Sequence, residues 1–278
     1  MSYTPRKASI RLTVLVAGMM VICAGNVAAA NDDRPAELKQ AAGIEAEAVK
    51  PQAANSAVTG LRRESQKQAA LALGVSRGFA WRSGQIRQVL EKYQKALDRA
   101  FNFAVLMNDG ITAPPVVRVQ QKVFAQDDPL LLRETDQVLR IVKTARLQPG
   151  PLSWRSYFMP RETGEYQPPQ VLIPTTSEER KAWEGWVSVG WKQGVKQAEA
   201  EFRTNLARAV RDYEGMLEYR KLLALGKIRS PYVASQNRGT IIDPKKRMMR
   251  IQDVVHTIAD PARFQSEGDW NVILIDGD

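Results

Sequence analysis

The sequence predicts an α+β protein, a mostly helical single domain with long amphipathic helices and a few short antiparallel strands. Two apolar stripes at three- and four-residue steps, within 61–107 and 177–225, predict the helices. β-Branched runs such as Val116-Val117-Arg118-Val119 predict the strands.

Residues 1–30 read as an export signal, because Arg6, Lys7 and Arg11 precede an apolar run that ends in small residues. That run is too short to span a bilayer. Ala28 and Ala30 fit signal-peptidase cleavage before Asn31. The alternative is a lipoprotein signal that would make Cys23 the lipidated first residue, but it would put β-branched Ile22 where a small residue belongs. Cleavage after Ala30 is the expectation, and it leaves 37 basic against 30 acidic residues with no cysteine. A disulfide framework and a thiolate metal site are thereby excluded. Residues 31–60 are rich in Ala, Gln and Glu, with Pro35 and Pro51 and few large apolar side chains. Such a stretch offsets little of its ordering entropy and reads as a flexible linker, leaving 61–278 as the globular domain.

Within that domain the stripe Ala72, Val75, Phe79, Ile86, Val89, Tyr93, Leu97, Ala100 and Ala104 predicts helix, with a break or a close helix contact near Gly74, Gly78 and Gly84. Asn108-Asp109-Gly110 supplies the stop, and Pro114-Pro115 prevents resumption. A strand over 116–124 follows. Residues 137–147 are compatible with strand or helix and, as a strand, would pair with 116–124 in an antiparallel ribbon. Residues 153–158 form a short helical turn, and the four prolines within 159–174 mark a loop or extended wrap.

Thr176 and Glu179 have capping-box spacing, and the stripe Trp183, Val187, Trp191, Val195, Ala198, Phe202, Leu206, Ala209, Tyr213, Leu217 runs on to Gly226. A helix over 177–225 would be about 70 Å long, with a bend expected near one of its glycines. After a loop at 230–239, residues 240–243 and 247–255 read as a hairpin turning at Pro244. The apolar tail Trp270-Asn271-Val272-Ile273-Leu274-Ile275 should dock on the core.

Few of these residues carry chemistry. His256, the one histidine, sits in an apolar alternating run with no partner constellation and reads as a strand-face residue. Asp127-Asp128 before Pro129 reads as a turn rather than a cation site. The run Gly190-Trp191-Lys192-Gln193-Gly194 has the spacing of a close helix contact and does not follow a strand as a phosphate loop would. Trp183 and Trp191 fall on the buried stripe, whereas Trp186 lies at its edge and is a candidate partner contact. The basic excess is dispersed, since Lys245-Lys246-Arg247 is short and lies beside apolar residues. No cofactor, no metal and no direct nucleic-acid binding are expected. Two rival classes stay open: a periplasmic cell-wall hydrolase acting through a single glutamate such as Glu184, and a periplasmic DNA-binding module.

An ordered set of segments carries a family likeness. It comprises Leu73-Gly74-Val75-Ser76-Arg77-Gly78-Phe79-Ala80-Trp81-Arg82, Ala113-Pro114-Pro115, Leu152-Ser153-Trp154-Arg155-Ser156-Tyr157, Gly190-Trp191-Lys192-Gln193-Gly194, Tyr219-Arg220-Lys221-Leu222-Leu223-Ala224 and Ser230-Pro231-Tyr232-Val233. Together they resemble the DotC family, which includes DotC of Dot/Icm type IVB secretion systems and TraI of related conjugative plasmids. The resemblance implies a non-enzymatic component of an outer-membrane core complex. It would sit in the periplasm, associated with the outer membrane, inside a large hetero-oligomer with DotD-like and DotH-like subunits. It offers no catalytic residues. The aromatic and arginine residues of the matched segments, chiefly Trp81, Arg82, Trp154, Arg155 and Tyr232, join Trp186 as candidate partner contacts.

Overall fold

The computed structural model describes residues 38, 41–43, 56–129, 131–161, 164, 166–243 and 245–270. The expected export signal with Cys23, most of the expected linker and the tail beyond Trp270 lie outside the described residues. The fold is α+β and mostly helical, with antiparallel strand pairs, as the sequence predicts. Its residues divide into two compact units, one holding residues up to 100 together with 157–207, the other 101–156 together with 208 onward.

The first unit is built on helix α1 (Ser56–Lys92) and the first part of a long helix over Ser177–Ala224. The expected helix over 61–107 thus begins earlier and stops sooner. A turn at Tyr93 separates α1 from α2 (Gln94–Ala100), and a 3-10 turn over Phe103–Leu106 follows. Glycines do not interrupt α1. Asp109 and Gly110 take positive φ values of 51° and 69°, so the expected stop is a turn beyond the helices.

After α3 (Trp154–Phe158), the proline-rich wrap runs back along α1. Arg87 donates to the Pro160 carbonyl (3.0 Å), the Tyr166 amide donates to Ser76 Oγ (3.1 Å), and Arg62 donates to the Val171 carbonyl (3.0 Å). Rising numbers in the wrap meet falling numbers in α1. The chain therefore arrives beside the start of α1, and α4 (Ser177–Ala224) sets out parallel to it.

The capping box forms as expected. Glu179 N–H donates to Thr176 Oγ1 (3.2 Å), and Glu179 Oε2 accepts from the Thr175 amide (2.8 Å) and, at 3.5 Å, from the Thr176 amide. Arg62 lies 3.5 Å from the other carboxylate oxygen. Burial raises the Glu179 pKa, but the hydrogen bonds from Thr175, Gln66 and Thr176 outweigh it and hold the carboxyl below its ordinary value.

Downstream, the two helix backbones touch. A methyl group at Gly74 would lie 2.8 Å from the Trp191 amide nitrogen and would overlap the Val187 carbonyl oxygen. One at Gly194 would lie 2.8 Å from the Phe79 amide and overlap the Val75 carbonyl, and one at Gly190 would overlap the Leu71 carbonyl. Gly78 likewise faces the Trp191 carbonyl. Two glycine pairs at four-residue spacing, one on each helix, so form a single close crossing. Around it pack Ala69, Ala70, Leu73, Trp183, Val187 and Trp191, each fully or nearly buried. Leu38 and Ala41, inside the stretch expected to be a flexible linker, are buried in the same cluster.

The second unit uses the rest of α4. Phe101 and Phe103 pack against Tyr213, the latter edge-on at 5.1 Å between ring centroids. Arg220 donates to the carbonyls of Leu106 and Met107, both at 3.0 Å. Strands β1 (Thr112–Ala113) and β4 (Arg146–Leu147) close the base of a long antiparallel ribbon, β2 (Val116–Asp128) with β3 (Leu131–Lys143). Val117 of β2, with Leu139 and Ile141 of β3, joins Tyr219, Leu222 and Ile228 in a second core. Lys143 at the foot of β3 pairs with the buried carboxylate of Asp212.

Helix α4 ends in a Schellman motif. Gly226 takes φ 67°, Lys227 N–H donates to the Leu222 carbonyl (2.9 Å) and Gly226 N–H to the Leu223 carbonyl (3.1 Å). Beyond it come β5 (Ile228–Arg229), β6 (Tyr232–Asn237), β7 (Ile241–Asp243), β8 (Met248–Arg250), β9 (Val254–Asp260) and β10 (Arg263–Phe264). The expected loop at 230–239 contains a strand, and the expected strand at 247–255 divides in two. β8 pairs with β7 as a hairpin, whereas β9 turns away to pair with β6. Gln252, at φ 56° between them, redirects the chain. Trp270, half-exposed, receives the Lys227 ammonium 4.3 Å from its ring centroid.

Glycines in one helix should respond with opposite sign. Gly190→Ala should cost at least about 2 kcal/mol in urea unfolding through overpacking, whereas Gly185→Ala, with open space around it, should gain about 0.5–1 kcal/mol. For Glu179, a lowered carboxyl pKa means stability fully present above the ordinary carboxylate range and lost as pH falls through its own lower value. The gap in melting temperature between the parent and Glu179→Gln should therefore be widest at neutral pH and close on acidification; a gap constant with pH would refute this role.

Candidate interaction surface

The six residues expected at partner contacts separate by burial. Arg82 is only 5% exposed. Its guanidinium donates to Glu199 of α4 through Nε (3.0 Å), approaches the same oxygen through Nη2 (2.9 Å), and donates to Gln85 (2.8 Å). Trp81 stands beside it, half-buried, with its ring 5.5 Å from that of Trp191. Trp154 is buried too. For Arg82 and Trp154 the expectation of a surface contact is corrected: both are spent inside the fold. The glycine crossing causes this for Arg82, because it brings α4 close enough for Glu199 to pair with a cation on α1. Trp186 is half-buried against the first core and keeps one side toward solvent.

Arg155 and Tyr232 do lie at the surface. Arg155 places its guanidinium 4.4 Å from the Trp154 ring centroid, so the buried tryptophan orients an exposed cation. Tyr232, at the start of β6, is 64% exposed. Cys23 is outside the described residues.

Other expected residues take plain positions. His256 on β9 is exposed and shares a hydrogen bond (2.8 Å) with Ser235, its cross-strand partner on β6. Glu184 is exposed on α4. Among the described residues no three His, Cys, Asp or Glu side chains come together as metal ligands, and no helix is long and apolar enough to cross a membrane. A groove of about 180 Å³ lies between α1 and α4, lined by Phe79, Ser83, Phe158, Arg161, Glu201 and Asn205. It is below the size range of sites that enclose a small-molecule ligand.

The exposed apolar residues of the ribbons were not visible as a surface from sequence. In β2–β3, Phe124 pairs with Glu134 and Gln126 with Leu132, so exposed Phe124 and Leu132 are diagonal neighbours on one face near the tip. Nearer the base, exposed Arg118 stands opposite exposed Arg140, two like charges in direct register. Among the described residues each of these strands pairs only with the other, which leaves two open edges. Alternation in the sequence hinted at the strands, but only the register shows which side chains share the uncovered face.

The arrangement defines a class: an α+β protein built on a parallel pair of long helices locked by glycines, carrying two-stranded ribbons with open edges. Residues 60–272 match the family of TraI proteins of the type IV secretory system, described as acting in conjugal DNA-protein transfer, and the chain belongs to that family. A comparison with curated proteins gives no match.

If Arg82 is structural and Tyr232 a surface residue, alanine substitution will separate them. Arg82→Ala should destabilise the fold by about 1–3 kcal/mol, since it leaves the partly buried Glu199 with only Arg203, 3.9 Å away, as a cation partner, and Tyr232→Ala should leave thermal melting within about 0.5 kcal/mol of the parent.

Proposed function

We propose that this type IV secretion component is a non-enzymatic structural subunit of the outer-membrane core complex, exported to the periplasm, where it binds DotD-like and DotH-like subunits and helps assemble the export conduit. Family membership over 60–272 supports the system. The observation that carries the structural role is the β2–β3 ribbon: 13 residues in each strand, open edges among the described residues, and an uncovered apolar pair at the tip. Backbone groups on an open edge accept an added strand from a partner, and side chains on the uncovered face set which partner fits. The opposed Arg118 and Arg140 favour an acidic patch on that partner, because two like charges in register repel until a counter-charge arrives. Arg155 and Tyr232 add further exposed contacts of the type that dominates protein interfaces.

The test is co-purification from cells that express the DotD-like and DotH-like proteins. Phe124→Asp combined with Leu132→Asp should reduce capture by roughly tenfold, with an unchanged melting temperature because both side chains are solvent-exposed in the parent. Capture equal to the parent's would overturn the ribbon as the interface. Release of muropeptides by the purified parent would overturn the non-enzymatic reading.

A further inference from the structure

The hairpin β7–β8 combines two kinds of exposed side chain that ordinary surfaces keep apart. Its register is Ile241 with Arg250, Ile242 with Met249 and Asp243 with Met248. Ile242 and Met249 therefore face one another across the ladder on one side of the hairpin, and they are 67% and 57% exposed. Ile251, two residues beyond Met249, is also 67% exposed. Met248, near the turn, is exposed as well. Among the described residues β7 and β8 pair only with each other. A cross-strand apolar pair left in water stabilises its hairpin only modestly, and contiguous exposed apolar surface marks a binding face.

Basic residues flank this apolar pair along the chain. Between 238 and 251 the chain carries Arg238, Lys245, Lys246, Arg247 and Arg250 against Asp243, a net charge of +4. Lys245, Lys246 and Arg247 form the turn, and all three are exposed. Three occupants can be compared on this chemistry. Nucleic acid would neutralise the cations, but no aromatic residue lies between 238 and 251 to stack a base, and Ile and Met offer its phosphates nothing. An acidic protein patch would likewise satisfy the cations while leaving the isoleucines uncovered. An anionic bilayer supplies both environments within a few ångströms, phosphates at the surface and acyl chains beneath. Methionine's flexible thioether suits an irregular apolar surface of that kind.

We propose that the β7–β8 hairpin is a membrane-surface anchor: Ile242, Met249 and Ile251 enter the acyl boundary of an anionic bilayer while Lys245, Lys246, Arg247 and Arg250 lie at its headgroup phosphates. The contact is made by the chain's own side chains. It requires neither an acyl group on Cys23 nor the assembly proposed above.

The test uses the protein purified from cells whose precursor carries Cys23→Ser, so that no acyl group contributes, sedimented with vesicles of phosphatidylglycerol and phosphatidylethanolamine or of phosphatidylcholine alone. The parent should partition about tenfold more strongly onto the anionic vesicles, with the difference falling as salt rises. Ile242→Ser with Met249→Ser should lower that partitioning about tenfold, and Lys245→Gln with Lys246→Gln and Arg247→Gln should abolish the preference for anionic lipid. Melting temperature should stay at the parent's value in both variants, since every substituted side chain is exposed. Equal partitioning onto the two vesicle types, or variants that bind as the parent does, would overturn the proposal. So would a parent that ignores vesicles but retards duplex DNA through the same basic residues. Capture of the DotD-like and DotH-like partners is read separately in the same variants and should be unchanged, so failure of the anchor and failure of the assembly reading give different results.

Discussion

The contact on which the first unit depends is backbone against backbone, where Gly74 and Gly78 of α1 meet Gly190 and Gly194 of α4. No side chain larger than hydrogen fits at these four points. Because the axes come so close, Trp183, Val187 and Trp191 reach past the crossing and fill the space beside it with Ala69, Ala70 and Leu73. Burial of Val187 and Leu73 alone contributes about 1.5–3 kcal/mol each. The same closeness lets Arg82 and Glu199 pair out of water. Parallel helices joined in one chain need a return path, and the wrap along α1 provides it through Arg87, Ser76 and Arg62.

The second unit is built on the later part of helix α4. Beyond residue 207 its buried stripe meets a different set of partners: Phe101 and Phe103 on Tyr213, Val117 near Gly215 and Tyr219, and Lys143 on Asp212. Helix α4, 48 residues long, has a capping box at one end and a Schellman motif at the other. The strands at the foot of the β2–β3 ribbon are held to it, whereas the ribbon's outer part has no such support and exposes both faces.

For a secretion-system component, the informative residues are the ones the core does not use. Arg82 and Trp154 belong to conspicuous sequence segments and are buried in the scaffold, whereas Arg155 and Tyr232 of the same segments lie at the surface. Phe124, Leu132, Ile242 and Met249, on segments that read only as strands, remain exposed.

Much was legible along the chain. The apolar stripe, the Thr176–Glu179 spacing and Gly226 gave α4 its limits, because local hydrogen bonds and one buried face determine a helix without knowledge of its partner. The β-branched run at 116–124 announced β2, whereas residues 137–147 were compatible with strand or helix and became part of β3 only through pairing with β2. Glycine spacing announced a close contact but not what it would meet, since a glycine records only that a side chain is unwelcome. The end of α1, the split of 247–255 between β8 and β9, and the burial of Leu38 were decided by contacts distant in sequence. So was the fate of Arg82. Whether an arginine faces water or a buried carboxylate depends on what the fold brings opposite it, and in this protein the crossing of two helices placed Glu199 there.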